Sequence, residues 1–171
     1  AAYRLHHAVR GGLLMHTLSI VKLCEGVCEV YPFVNKDLLL TGAMLHDIAK
    51  TTEYDVGVSG FASGYTVEGN LIGHLVKGAM LVDEAATELS ISREKAMLVE
   101  HMLISHHGEP EYGAAVRPMF LEAELLSELD LMDARVYQIA HAIENVGEKE
   151  FSSRLWALED RRIYKHEAKQ D

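Results

Sequence analysis

The sequence predicts an all-α fold, a single-domain bundle of about six to eight helices. Its 171 residues are enough for one domain with a proper hydrophobic core. The composition is 49% hydrophobic with only 3 prolines, and proline is the residue that most disrupts a helix interior. Apolar residues also recur at intervals of three and four along several long stretches, which is the period of an amphipathic helix.

Two helices are predicted in the first third of the chain. The apolar pattern over residues 13–30 predicts the first helix, and Pro32 cannot continue it. Asn35 is a favoured N-cap residue, so it predicts the start of a second helix over residues 36–49.

The middle of the chain combines a glycine-rich stretch with a third helix. Residues 51–65 predict a loop with a small hairpin, close to where a substrate would enter. Residues 67–89 predict the helix. Its glycines at Gly69, Gly73 and Gly78 weaken helix propensity but permit close packing of helices.

Three helical stretches are predicted in the second half. Ser92 is a candidate N-cap for a fourth helix over residues 93–105. Pro118 suits the start of a fifth helix, residues 119–144, because proline is favoured in the first turn. The apolar spacing of residues 151–164 predicts a last helical segment before a charged end.

The charge of the chain limits what this domain binds by itself. The formal net charge is −10 with histidine counted as neutral. Surfaces that bind nucleic acid non-specifically are normally basic, so the chain alone is not predicted to be such a surface. Bound divalent ions or a partner domain would supply the missing positive charge.

No targeting or membrane-spanning segment is visible in the sequence. No apolar run approaches the roughly 20 residues of a membrane helix, and no signal-peptide pattern is present. We therefore expect a cytoplasmic location and no membrane partner. The chain begins at Ala1 and opens directly into a motif-like stretch, so residues 1–171 are expected to be one domain of a longer protein. The long apolar helices are compatible with a homo-oligomer, although no stretch proves one.

A histidine and an aspartate stand side by side at the end of an apolar run. His46 and Asp47 follow residues 38–45, and Lys50 lies one helical turn further on. An imidazole nitrogen and a carboxylate oxygen can bind one divalent ion together, and the carboxylate can also reach a second ion. The pair is therefore a candidate metal site.

Further candidate ligands are distributed over the other predicted helices. The full set is His16, His46, Asp47, His74, His106, His107 and Asp130. Five imidazoles and two carboxylates are too many for one tetrahedral zinc, but they suit two ions that share Asp47. Mixed nitrogen and oxygen ligands favour Mn, Fe or Co, while Ni, Zn and Mg remain compatible. Taken singly, each residue also has a structural explanation as a core side chain, a helix cap or an ion-pair partner.

The order of these residues resembles the metal-dependent HD-domain phosphohydrolases, in the subset that holds two metals. The neighbouring motifs are similar to those of the YhaM-type 3′→5′ exoribonucleases. These motifs are His6-His7-Ala8, Gly11-Gly12-Leu13-Leu14, His16-Thr17, Leu45-His46-Asp47-Ile48-Ala49-Lys50, Ser105-His106-His107-Gly108-Glu109, Leu129-Asp130-Leu131-Met132-Asp133-Ala134-Arg135 and Phe151-Ser152-Ser153-Arg154-Leu155-Trp156-Ala157-Leu158-Glu159.

The resemblance implies an all-α HD fold with the metal site in its centre and the seven residues above as ligands. It also implies an N-terminal OB-type nucleic-acid-binding domain, which residues 1–171 are not expected to include. Two positions depart from the family pattern: Met15 replaces a common acidic residue, and Ala49 replaces a glycine. Gly12 stands where a related branch carries an acidic residue for a third metal, which favours two ions here.

The expected activity is hydrolysis of phosphodiesters by a metal-activated water, releasing nucleoside monophosphates from single-stranded RNA or single-stranded DNA. Asp47 is the expected catalytic centre, and Lys50 is expected to bind a phosphoryl oxygen unless it is a solvated lysine at a helix end. His101 is a candidate proton donor, with a core role as its alternative. Arg135 is a weaker candidate for substrate binding, and Asp133 is expected to orient a ligand or bind the lysine.

Two other functions remain open at this stage. The same fold and metals serve phosphohydrolases that act on nucleotides or dinucleotide polyphosphates. A closed pocket over the metals would favour this small-molecule function. A non-catalytic metal-binding or nucleotide-binding regulatory module is the second alternative. The complete ligand set counts against it, because a decayed enzyme is expected to lose ligands first. An open groove would favour RNA.

Overall fold

The computed structural model describes residues 11–57 and 62–167 of the chain. The His6-His7-Ala8 motif and residues 58–61 of the predicted loop lie outside the described residues. No helix in the described part is both long and apolar enough to cross a membrane.

The all-α prediction is confirmed, since helices dominate the described residues. Residues 11–57 and 62–167 form seven α-helices: α1 Gly12–Val30, α2 Lys36–Leu45, α3 Lys50–Glu53, α4 Val67–Leu71, α5 Gly73–Glu88, α6 Arg93–Ser105 and α7 Leu121–Ile143. Two short antiparallel hairpins accompany them, formed by β1 Tyr54–Val56 with β2 Ala62–Tyr65 and by β3 Glu150–Phe151 with β4 Tyr164–Lys165. Single turns of 3-10 helix lie at Pro110–Tyr112 and Trp156–Leu158.

The core is formed where α1, α2, α6 and α7 meet. Ile20, Leu39, Met102 and Leu126, one from each helix, are completely buried, and Cys24 lies among them. Burial of a large aliphatic side chain contributes about 1.5–3 kcal/mol, so these contacts fix the helices relative to one another. His16 in α1 and Asp130 in α7 lie one helical turn from Ile20 and Leu126 of this core.

The second predicted helix is shorter than expected. α2 begins as predicted, with the Asn35 side chain accepting a hydrogen bond from Leu38 N at 3.1 Å, but it ends at Leu45 rather than at residue 49. A tight turn follows, in which Ile48 N donates to Leu45 O and Lys50 N donates to Asp47 O, each at 3.0 Å. These bonds span three residues, so the backbone winds more tightly than an α-helix and carries His46 and Asp47 into the interior.

The third predicted helix is divided into α4 and α5. Gly73 has φ of +71°, a left-handed conformation that interrupts the helix and that other residues adopt only with strain. Directly beyond it, the Glu53 carboxylate accepts a hydrogen bond from His74 N at 3.0 Å. Periodicity alone could not reveal this break, because both segments keep the helical spacing.

Gly69 explains how closely α4 packs on α3. A Cβ atom at Gly69 would lie 2.2 Å from the backbone oxygen of Glu53, which is closer than any real contact. The close packing that the sequence predicted for this glycine is therefore present. The hairpin of β1 and β2 was also predicted, and it lies between α3 and α4.

The start of the last long helix differs from the prediction. α7 begins at Leu121, after Phe120 in an extended conformation, so Pro118 lies in the preceding segment rather than in the first turn. The Glu122 side chain near this helix start accepts a hydrogen bond from Asn35 N at 2.8 Å. The start of α7 is thereby held against the start of α2.

The predicted helix over residues 151–164 is wrong. This segment forms the hairpin of β3 and β4, with Ser152 N donating to Ile163 O at 2.8 Å. Glu159 and Asp160 have φ of 52° and 56°, so the backbone reverses there instead of continuing a helix. The buried Ser152 hydroxyl accepts a hydrogen bond from Ile163 N at 3.0 Å, which favours the pairing over the helix that the apolar spacing indicated.

Replacement of Gly69 by alanine should destabilise the fold, because the new methyl group would overlap the backbone of Glu53. We expect G69A to lower the free energy of unfolding in urea by about 1–3 kcal/mol. G26A is the matched control, since a Cβ atom at this exposed helical position meets nothing within 4 Å. That control should be neutral or stabilising by up to about 1 kcal/mol. Equal unfolding curves for the two variants would contradict the packing argument.

Candidate metal centre

The structure brings all seven predicted ligands into one cluster between the helices. His16 lies in α1, His46 and Asp47 lie in the turn after α2, and His74 lies in α5. His106 is the C-cap of α6, His107 follows it, and Asp130 lies in α7. Residues separated by more than 100 positions in the chain thus converge on Asp47. We call these seven residues the histidine–aspartate cluster.

The first half of the cluster surrounds one oxygen of Asp47. The Nε2 atoms of His46 and His16 lie 3.5 and 3.8 Å from Asp47 Oδ2, and they lie 3.2 Å from each other. Asp130 Oδ1 is 3.0 Å from His16 Nε2. Ligand atoms about 2.1 Å from a shared ion lie about 3–4 Å apart, so these separations suit a common metal.

The second half of the cluster faces the other oxygen of Asp47. His74 Nε2 and His106 Nε2 each lie 3.6 Å from Asp47 Oδ1. The His107 ring packs against both, with centroid distances of 5.2 Å to His74 and 4.5 Å to His106. One ligand nitrogen from each of these three histidines lies within 4.8 Å of the others. Asp47 therefore separates two groups of side chains, each able to hold a metal ion.

All five imidazoles are held in the same way, through Nδ1. The acceptors are Asp133 Oδ2 for His16 at 2.7 Å, Ala43 O for His46 at 2.8 Å, Glu53 Oε1 for His74 at 2.9 Å, Leu103 O for His106 at 2.8 Å and Tyr112 O for His107 at 3.0 Å. Carbonyl and carboxylate oxygens only accept, so Nδ1 carries the proton and Nε2 faces the cluster. Metal-binding histidines are oriented by this kind of hydrogen bond.

The donor set fits divalent metal ions. The Nε2 atoms of His74 and His106 are buried and have no hydrogen-bond partner within residues 11–57 and 62–167. A buried polar atom without a partner is costly, and such atoms are rare in folded proteins. An ion bound by these nitrogens would remove that cost, which makes the second group the clearest indication of a metal.

Electrostatics also prepare the cluster for cations. Burial lowers the pKa of His46 and of His106, and burial together with the neighbouring imidazoles lowers that of His107 to about 4. These rings are consequently neutral at pH 7, which is the form that binds metal. Burial would raise the pKa of Asp47, but the positive charge of Lys50 outweighs burial and holds this pKa well below its usual range. The carboxylate is therefore ionised.

His16 is the exception among the histidines. Burial lowers its pKa, but hydrogen bonds to Asp130 and Asp133 outweigh burial and raise it. Both of its nitrogens face carboxylates, Asp130 through Nε2 and Asp133 through Nδ1. Without a cation, the imidazolium form is favoured, and a metal ion between His16 and Asp130 would replace the Nε2 proton.

Lys50 is not a solvated lysine at a helix end. Its side chain is 7% exposed, and Nζ donates to Asp47 Oδ2 at 2.7 Å. Burial would lower the pKa of Lys50, but the adjacent Asp47 charge outweighs this and raises it. A permanent positive charge therefore lies beside the cluster, where a phosphoryl oxygen could approach. The assignment of Lys50 to substrate binding remains a prediction.

A cleft of about 550 Å³ opens over the cluster. Its floor includes Lys50, His74, His106, His107 and Asp130. The hairpin of β1 and β2 forms one wall, and the segment between α6 and α7 together with α7 forms the other. Several side chains of these walls are exposed, so the cleft is open to solvent.

Two predicted functional residues are not brought to the cluster. His101 Nε2 accepts a hydrogen bond from Met119 N at 3.0 Å, its ring packs on Phe120, and it is not among the residues that line the cleft. The Arg135 side chain lies 3.5 Å from Glu159 in the C-terminal segment and is also absent from the lining. The geometry favours a packing role for the first and a surface ion pair for the second.

Two residues gain importance that the sequence did not indicate. Glu53 anchors His74 across 21 positions, and no spacing rule links such a pair. Arg117 lines the cleft and pairs with Glu109 through Nε at 2.8 Å. In the sequence, only the position of Arg117 in a loop after the His106-His107 motif indicated that it could lie near the cluster. Asp133 was expected either to orient a ligand or to bind the lysine. Its hydrogen bond to His16 favours the first of these roles.

Removal of the Glu53 carboxylate should weaken metal binding at the half of the cluster that contains His74. We expect E53A to reduce the affinity for Mn²⁺ about 10- to 100-fold, because the His74 ring loses the acceptor that orients it. Titration calorimetry of the metal-free protein measures this, with E25A on the exposed face of α1 as the control. Wild-type Mn²⁺ affinity in E53A would exclude an orienting role for Glu53.

Known proteins resemble the chain along almost its whole length. The 3′-5′ exoribonucleases YhaM of Bacillus licheniformis and of Bacillus subtilis strain 168 are each 39% identical to it over 165 residues. These alignments cover 96% of this chain and 52% of each relative. The 3′-5′ exoribonuclease YhaM of Listeria welshimeri is 41% identical over 164 residues, covering 96% of this chain and 51% of that protein. The chain thus spans about half the length of these relatives.

A domain-family profile also matches most of the chain. No solved structure matches the chain. The family profile described as the HD domain matches residues 13–135, which run from the start of α1 to beyond Asp130 in α7. That range contains every member of the histidine–aspartate cluster. The chain belongs to the HD domain family.

Proposed function

We propose that this domain is a divalent-metal-dependent phosphodiester hydrolase, the catalytic domain of a 3′→5′ exoribonuclease that releases nucleoside monophosphates. One observation carries the proposal: the two oxygens of the buried Asp47 carboxylate face two separate groups of imidazole nitrogens. Two metal ions that share one carboxylate ligand catalyse the cleavage of phosphodiesters in many proteins. The names of the YhaM relatives support the choice of RNA as the substrate.

The proposal requires two ions, one on each side of Asp47. His16, His46 and Asp130 would hold the first ion with Asp47, and the remaining three histidines would hold the second. When bound, the ions would acidify a water nucleophile and neutralise charge on the phosphoryl oxygens. Mixed imidazole and carboxylate ligands favour Mn, Fe or Co.

The protein's own groups complete the chemistry. Lys50 would bind a non-bridging phosphoryl oxygen, since its ammonium group is buried, charged and in the cleft. Asp133 and Glu53 hold His16 and His74 in orientation. Glu124 and Glu128 on the cleft wall repel a polyanion, so entry of an RNA chain depends on the positive charge at the cleft floor.

The open cleft favours a polynucleotide over a small nucleotide. Tyr112 and Arg117 line the cleft, and both are largely exposed at its rim. A chain longer than one nucleotide can therefore leave the cleft without a clash. An accompanying N-terminal OB-type domain stays a prediction, as do a cytoplasmic location and a homo-oligomer. We expect weak and poorly processive RNA cleavage from this domain by itself.

The proposal is tested by measuring metal content together with RNA shortening. Elemental analysis of the protein purified with Mn²⁺ should give close to two ions per chain. A 5′-labelled single-stranded RNA should then shorten stepwise from its 3′ end with release of mononucleotides, and EDTA should stop the reaction. Two ions without RNA cleavage would favour the small-nucleotide alternative, and absence of bound metal would contradict the proposal.

Two substitutions at adjacent groups separate metal binding from substrate binding. D47A should lose bound metal and activity together, because Asp47 is the ligand shared by both groups. K50M should retain its metals but lose about 100-fold in kcat, as expected for removal of one transition-state hydrogen-bond donor. The exposed Asp37 in α2 provides the control D37N, which should change neither quantity. Full activity in D47A would overturn the assignment of the centre.

A further inference from the structure

Two tyrosines face each other at the base of the hairpin beside the cleft. Tyr54 begins β1 and Tyr65 ends β2, and the two are direct cross-strand partners. Their ring centroids are 5.1 Å apart with planes inclined at 60°. Both side chains line the same cleft as His74, His106 and Lys50. The hairpin wall of the cleft is therefore aromatic, while its floor holds the candidate metal ligands.

The backbone ties this tyrosine pair to the metal centre. Tyr54 directly follows Glu53, the residue that anchors His74. Thr66, directly after Tyr65, donates from N to Glu53 O at 2.9 Å and from Oγ1 to Thr52 O at 2.9 Å. Each tyrosine is therefore the chain neighbour of a hydrogen-bonded residue, Tyr54 of Glu53 and Tyr65 of Thr66. Adjacent Cα atoms are about 3.8 Å apart, so both tyrosines lie close to the segment that orients His74. The pair is thus held at a fixed place relative to the cluster.

The two tyrosines differ in exposure. Tyr65 is 47% exposed, whereas Tyr54 is less exposed and packs against it. Burial, followed by the charge of Glu53 and the Tyr65 contact, raises the pKa of Tyr54, so this ring stays neutral. Both rings line the cleft, and Tyr65 is the more exposed of the two.

An aromatic wall next to a phosphate-binding floor matches the two parts of a nucleotide. The candidate metals and Lys50 would engage the phosphodiester, and they offer nothing to the uncharged base. Aromatic side chains stack on nucleobases of any sequence, because every base has a π face. A volume of about 550 Å³ lies within the range of about 300–1,000 Å³ that is typical of small-molecule sites.

We propose that Tyr65, supported by Tyr54, stacks on the base of the 3′-terminal nucleotide and so positions the last phosphodiester over the cluster. The inference rests on the proposed function and adds to it a subsite for the base. The competing explanation is that the pair serves only to hold the hairpin together, as cross-strand aromatic pairs do. The two explanations differ in whether Tyr65 distinguishes a substrate with a terminal base from one without it.

The experiment compares two RNAs that differ only at the 3′-terminal residue, one with a base and one with a ribose spacer that lacks it. For the full chain with Mn²⁺, kcat/KM should be about 5- to 150-fold higher for the RNA with the base, mainly through KM. In Y65L this preference should fall to about one, because leucine retains apolar packing but not the aromatic face. Y65F should retain the preference of the wild type.

Tyr31 provides a matched control outside the cleft. It is also 47% exposed and packs on another aromatic ring, Phe33, at a centroid distance of 5.9 Å. Y31L should show the preference of the unchanged protein. Mn²⁺ content is measured for every variant, so that damage to the cluster is distinguished from loss of stacking.

Two outcomes would overturn the stacking assignment. These are no preference for the terminal base in the wild type and an unchanged preference in Y65L. If the hairpin only has a structural role, Y65L would lower kcat/KM equally for both RNAs and leave the preference unchanged. Failure of the wild type to cut either RNA despite bound Mn²⁺ would instead contradict the proposed exoribonuclease function.

Discussion

The buried carboxylate of Asp47 is the group on which the rest of the structure depends. An ionised carboxylate away from water is strongly unfavourable unless cations or hydrogen-bond donors surround it. Here Lys50 contacts one oxygen, and imidazoles from α1, α5 and α6 approach both. The helices must therefore meet at this point. The apolar core of Ile20, Leu39, Met102 and Leu126 holds them there.

A second layer of contacts converts this convergence into a defined geometry. Every cluster histidine donates from Nδ1 to a fixed acceptor, so the Nε2 atoms have one orientation and little freedom. Glu53 has a double role in this layer. Its side chain orients His74, and its backbone oxygen binds Thr66 at the base of the tyrosine hairpin. The candidate metal centre and the wall of the cleft are consequently parts of one connected unit.

The limits of sequence-based inference are clear at particular residues. Asn35 and the spacing of apolar residues located α1 and the start of α2 well, because capping and amphipathic periodicity are local properties. The same periodicity predicted a helix over residues 151–164, where Ser152 instead pairs with Ile163 in a β-hairpin. It also missed the break at Gly73, beyond which His74 N donates a hydrogen bond to the Glu53 carboxylate 21 positions away. Nothing local to His101 or Arg135 indicated that their side chains would engage Met119 and Glu159.

The sequence by itself determined the fold class, the helices that carry the histidines and the seven residues of the cluster. It could do so because helix periodicity is local and because the ligand types recur in a recognisable order along the chain. Only the tertiary structure decided that each oxygen of Asp47 faces a different group of imidazoles. It also decided that Glu53 anchors His74 and that Tyr54 and Tyr65 line the cleft. These relations depend on how separate helices pack, and the free energy of that packing is distributed over contacts between residues distant in sequence.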